Sequence, residues 1–233
     1  MKKTMRLLLI LALAAALLAG CGAEPENLGG TVTPTASAPT EVPEEGGVSM
    51  GRMEGGVYTN EYAGFACRLS EDWIFYAAEE LQDLPDNVAE VLEGSEIGDA
   101  MADVQQFTDM MAENANDLTN MNVLYQKQDL QTRLTMAILS EEQVIDATLG
   151  QSASIEEAYT QMGMTNISLE KVTVTFLGRE HFALRTQAEL QGIPVYMLQL
   201  MDYSRGAYAI TTTLTSYMED KTESMLELFY AVE

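Results

Sequence analysis

The chain has 233 residues, with 12 Lys and Arg against 36 Asp and Glu and a formal net charge of −24. Three of the basic residues, Lys2, Lys3 and Arg6, stand at its start, so beyond them nine cations face all 36 acidic groups and the remainder carries −27. Such a surface repels polyanions and acidic head groups; it excludes nucleic acid as an expected partner, and its plain role is to keep the chain soluble, although it could also attract cations or a basic partner.

Residues 1–20 read as a secretory signal: a basic start, an apolar core from Leu7 to Leu18, then the small pair Ala19-Gly20. The core is shorter than the ~20 apolar residues that span a bilayer, and no stop-transfer pattern follows. Leu18-Ala19-Gly20-Cys21 resembles the lipobox of bacterial lipoproteins. That resemblance implies recognition of Leu18, Ala19 and Gly20 by a signal peptidase, diacylglycerol on the Cys21 thiol, and cleavage that leaves Cys21 as the new N-terminus. The protein is then expected on the extracytoplasmic face of the cell membrane, anchored in the lipid bilayer by acyl chains on Cys21. Two such chains suffice, each buried methylene contributing roughly 0.8 kcal/mol.

Residues 21–56 are rich in Pro, Thr, Gly and Glu without apolar periodicity, and are expected to form a disordered tether spanning roughly 30 to 35 Å. Gly47-Val48-Ser49-Met50-Gly51 matches a nucleophile-elbow pattern, but neither a buried strand before the serine nor a helix after it is expected. One globular domain is expected from residue 57 to 233. With Cys21 lipidated, only Cys67 remains, so no internal disulfide can form; alternating with Phe65 and Leu69, it reads as an inward strand position.

Val57 to Thr59 and Gly64 to Leu69 predict a hairpin around Asn60 to Ala63, with a turn at Ser70 to Asp72 leading into Trp73 to Phe75, where Trp73 reads as a core anchor. From Asp86 to Glu113 the spacing predicts helices, a short one through Val88, Val91 and Leu92 and a longer one through Ile97, Ala100, Met101, Val104, Phe107, Thr108 and Met111. Met121 to Lys127 and Thr132 to Leu139 read as a second hairpin. Three pairs have capping-box spacing: Ser140 with Gln143, Ser154 with Glu157, and Ser216 with Glu219. The first opens a helix through Val144, Ile145, Thr148 and Leu149 that stops at Gly150. The second opens one through Ile155, Ala158, Tyr159 and Met162. The third opens a terminal helix placing Met218, Met225, Leu228, Phe229 and Val232 on a sheet. Between them, alternation over Val172 to Phe176, Phe182 to Leu190, Val195 to Tyr203 and Tyr208 to Leu214, joined by short turns, predicts a four-stranded antiparallel meander.

Tyr58-x-Asn60-x-Tyr62-x-Gly64-Phe65, then Leu69 and Trp73, then Tyr208-x-Ile210-Thr211-x-Thr213 resemble the PsbP-like group. The resemblance spans about residues 57–233. It implies an α+β domain with an antiparallel β-meander sheet packed by helices on both faces, an α/β/α sandwich that serves as a binding or assembly module at a membrane.

No phosphate loop, dinucleotide fingerprint, metal-ligand set or triad is legible; the only histidine, His181, falls on the polar side of its strand. No cofactor, metal site or catalytic residue is therefore expected, and the chain is not expected to be an enzyme. The expected function is a non-catalytic module that binds an envelope protein or assists assembly at the cell envelope. The alternative is a carrier presenting a small ligand or cation to a membrane transporter.

Overall fold

The computed structural model of the chain describes residues 51–76, 81, 92 and 105–232. Leu18, Ala19, Gly20, Cys21 and Ser49 lie outside them, as do the helical expectations for residues 86–104 apart from Leu92. The described part is mixed α+β and mostly strand, built on two antiparallel sheets.

The smaller sheet holds β1 (Arg52–Glu54), β2 (Val57–Asn60), β3 (Phe65–Arg68) and β11 (Phe229–Ala231) in the order β1-β2-β3-β11. The β2–β3 pair is the hairpin read from sequence, with Tyr58 opposite Cys67. The larger sheet has seven strands in the order β4-β5-β6-β10-β9-β8-β7: β4 (Trp73–Phe75), β5 (Gln106–Asn114), β6 (Thr119–Lys127), β7 (Met164–Phe176), β8 (Arg179–Leu190), β9 (Ile193–Asp202) and β10 (Tyr208–Tyr217). The last four are the expected meander. Its first two turns are two-residue loops, Leu177-Gly178 and Gln191-Gly192, with positive φ at both positions as a hairpin that follows the natural strand twist requires.

The helices are α1 (Leu130–Met136), α2 (Glu141–Leu149), α3 (Ser152–Gln161) and α4 (Thr222–Leu226). Alternate residues of the large sheet serve two cores. Met121, Val123, Tyr125, Ala183, Leu198, Ile210 and Leu214 meet Tyr58, Phe65 and Cys67 of the small sheet, together with Met225 and Leu226 of α4. On the opposite face Leu124, Met164, Val195 and Met197 meet Ile155, Ala158 and Tyr159 of α3, with Leu81 and Leu92, while Ile145 of α2 packs on Leu184 and Met201.

Five expectations are corrected. Phe107, Thr108 and Met111 belong to strand β5, not a helix: an interior strand buries both faces, so neighbouring Met110, Met111 and Ala112 imitate a helical stripe. The second hairpin is β5–β6, around a turn in which Asn114 Oδ1 accepts from the amides of Asn116 and Asp117. Thr132 to Leu139 accordingly form no strand; residues 130–136 are α1, whose N-cap Asp129 accepts from Thr132 N at 2.8 Å. The Ser154–Glu157 pair does not open α3, whose N-cap is Gln151, three residues earlier. Nor do Ser216 and Glu219 open a helix. Strand β10 runs on to Tyr217, Met218 turns out at φ 70°, and Ser216 Oγ accepts from Lys221 N to close that turn before α4; Phe229 then enters β11 opposite Cys67. Arg52 to Glu54, assigned to the tether from sequence, pair with β2 and so belong to the fold.

Candidate functional site

The α1 helix carries none of its seven residues into the core. Leu130, Leu134 and the following Ile138 recur every fourth position and are 60, 52 and 81% exposed, forming one apolar stripe. A helix this short does not hold itself together in water, and helices in proteins owe their stability to a packed face. Its cap contributes: the Asp129 carboxyl is held below its usual range by hydrogen bonds from Thr132. Beneath α1 runs a groove of about 510 Å³ lined by Leu134, Ala137, Val144, Met201 and Tyr203.

Next to that groove the large sheet forks. Pairing between β8 and β9 ends at Leu184 opposite Gln199. Beyond this point β8 stays paired to β7 as far as Arg179 opposite Phe176, and β9 to β10 as far as Asp202 opposite Ile210, so the two strands part. Glu141, at the start of α2, occupies the opening. One carboxylate oxygen lies 2.9 Å from His181 Nδ1 and the other accepts from Phe182 N, the amide that strand pairing would otherwise use. The Ser140–Gln143 capping box sets this start, with both reciprocal bonds present. In the fork lies a cavity of about 210 Å³ whose lining includes Phe65, Phe176, Arg179, His181, Leu200 and Arg205.

A third cluster ties the sheets together. At Asp109 the β5–β6 register slips by one residue, a bulge that turns the carboxylate toward β2. It accepts from the Tyr58 hydroxyl, from Asn60 Nδ2 at 2.6 Å and from Gly51 N at 3.0 Å; Asn60 Nδ2 also lies 2.6 Å from the Tyr125 hydroxyl. Burial pushes the Asp109 carboxyl up, and burial together with Asp109 raises the Tyr58 hydroxyl far above its ordinary value. The Tyr62 hydroxyl donates to Arg205 O, and Gly64, at φ 78°, leaves space that a Cβ would take 2.8 Å from Arg205 Nη2. Tyr58, Asn60, Tyr62 and Gly64, singled out in the sequence, thus form a structural corner; Asp109, the acceptor shared by Tyr58 and Asn60, was missed because a bulge leaves no periodic trace.

Cys67 is fully buried, its sulfur 3.8 Å from Met121 Sδ, and burial pushes the thiol up to about 12. Trp73 is partly buried against the core between the sheets. His181 is hydrogen-bonded to Glu141, and its other ring nitrogen, Nε2, is buried without a partner. Among the described residues no group of three His, Cys, Asp or Glu side chains is placed to hold a metal ion, and no helix is long and apolar enough to cross a membrane. No protein-family model and no curated protein matches the chain.

Proposed function

We propose that the protein is an extracytoplasmic module held to the cell membrane by lipid on Cys21, and that it acts by binding an envelope protein through α1. The observation that carries this reading is the exposed stripe of Leu130 and Leu134 on a helix with no buried residue, continued by Ile138 just beyond its end. An apolar helix face of this spacing is the form that docks into a groove of a partner, which supplies the packing the helix lacks. The partner is a protein with an apolar groove. A second copy is disfavoured because two surfaces of the same large negative charge repel. The buried Cys67 thiol is poorly suited to be a nucleophile, which fits a role in binding. The PsbP-like α/β/α arrangement belongs to the same proposal; it is supported by α2 and α3 on one face of the seven-stranded sheet and α4 beside the small sheet on the other, and by Tyr58, Asn60, Tyr62 and Gly64 meeting at one corner.

A photo-crosslinking residue at Leu134 in the full membrane-anchored chain tests the docking. One envelope protein is expected to couple at Leu134 and not at Ile193, an exposed apolar position at the start of β9. Coupling only to lipid or to a second copy would overturn the reading. Cys21→Ala is expected to release the chain from membranes; a variant that stays bound in high salt would refute the anchor.

A further inference from the structure

The fork between β8 and β9 holds a cavity whose chemistry the docking surface does not use. Its floor is apolar, with Phe65, Phe176, Leu200 and Ile210. Its polar lining has acidic and basic groups, but the acidic ones are already engaged. Glu141 accepts from His181 Nδ1 and Phe182 N. Asp202 accepts from Arg205 Nε at 2.9 Å, from Ser204 N at 2.8 Å and from Ser204 Oγ at 2.6 Å. The Arg179 guanidinium, by contrast, has no hydrogen-bond or ion-pair partner among the described residues, and Arg205 commits only Nε to Asp202. The buried His181 Nε2 beside them is also without a partner; with Nδ1 donating to Glu141, it is an acceptor in the neutral ring and stands outside the donor set. The unused capacity of the two arginines is all donor, in a chain whose remaining surface is overwhelmingly acidic.

We propose that this fork is a binding site for a small organic carboxylate, its head on Arg179 and Arg205 and its hydrocarbon body on the aromatic floor. Guanidinium groups match the planar carboxylate with paired hydrogen bonds, and the apolar floor requires an organic body that a bare inorganic anion lacks. At roughly 30 Å³ for each water-sized unit, the cavity of about 210 Å³ takes a ligand of roughly seven non-hydrogen atoms, the size of a five-carbon monocarboxylate. The site is independent of the α1 reading, because no residue of the Leu130, Leu134 and Ile138 stripe lines it.

The test is calorimetric titration of the solubilised full chain with pentanoate, acetate, pentanamide and inorganic phosphate. Pentanoate is expected to bind, with acetate weaker by about tenfold or more for its missing methylenes and pentanamide weaker by a similar factor for its missing charge. Arg179→Ala is expected to weaken pentanoate by about tenfold or more while melting like the unaltered chain without ligand, since Arg179 is exposed. Arg179→Lys is expected to recover part of the loss. No pentanoate binding, pentanoate binding unchanged in Arg179→Ala, or phosphate binding as tight as pentanoate would each overturn the proposal.

Discussion

Glu141 and His181 are 40 positions apart, yet a carboxylate oxygen of one sits 2.9 Å from Nδ1 of the other, so that a helix start seals the edge of a strand that has lost its neighbour. A carboxylate only accepts, which places the proton on Nδ1. Glu141→Ala leaves that N–H and the Phe182 amide without their acceptor. A loss of about 1 kcal/mol is expected, modest because Glu141 is half exposed, together with faster hydrogen exchange at Phe182. Thermal melting and amide exchange check the two parts separately.

The capping box beneath Glu141 permits a paired comparison. Ser140→Ala removes an acceptor used by Gln143 N and is expected to cost about 1 kcal/mol. Ser152→Ala, at the first residue of α3 and so not its N-cap, is expected to cost clearly less. Equal losses in urea denaturation would contradict the assigned start of α3.

Asp109 must be an acceptor on both oxygens, because Gly51 N lies 3.0 Å from each while Tyr58 and Asn60 also donate. Asp109→Asn turns one of these contacts into donor against donor, with an expected loss of about 1 to 3 kcal/mol. The pH dependence has a definite sign. Burial raises the carboxyl above its ordinary 3.8, so folding takes up protons; the contribution of this group is full below 3.8 and is lost as pH rises through the raised value. The stability gap between the unaltered chain and Asp109→Ala is expected to narrow as pH rises from 3.8, measured by denaturation at a series of acid pH values.

Cys67 is expected to resist alkylation at neutral pH in the folded chain and to react fully in denaturant, because burial lifts the thiol from 9.0 to about 12. The same shift means that its contribution to stability is full below pH 9.0 and falls away toward pH 12. Labelling followed by mass measurement, with and without urea, reads the first expectation. Appreciable labelling of the native state would place the thiol at the surface.

The α1 stripe and the core separate cleanly under substitution. Leu134→Ser is expected to change stability by less than about 0.5 kcal/mol, whereas Leu184→Ala, at a fully buried position, is expected to cost about 2 to 5 kcal/mol. A large loss at Leu134 would mean that the stripe is packed within the fold.

The meander was legible because its strands alternate and its turns are short: Leu184, Ala188 and Leu190 fall where β8 buries them, and Gln191-Gly192 turns as a two-residue hairpin should. The stretch around α1 was not. Leu130, Leu134 and Ile138 repeat every four residues, and four is both a multiple of the strand period and close to the helical one, so alternation through Thr132, Leu134, Met136 and Ile138 fits either reading. The chain end misled for a related reason, since Ser216 caps a turn between a strand and a helix as readily as it would cap a helix.

Local chemistry alone therefore determined which residues alternate, where hairpins close and where α2 is capped, since these depend on neighbours within a few positions. Neither the fork nor the bulge is such a property. Where β8 leaves β9, which carboxylate fills the gap, and that Asp109 turns toward Tyr58 are decided by strands far apart in sequence competing for the same backbone partners, a competition that only the assembled sheet resolves.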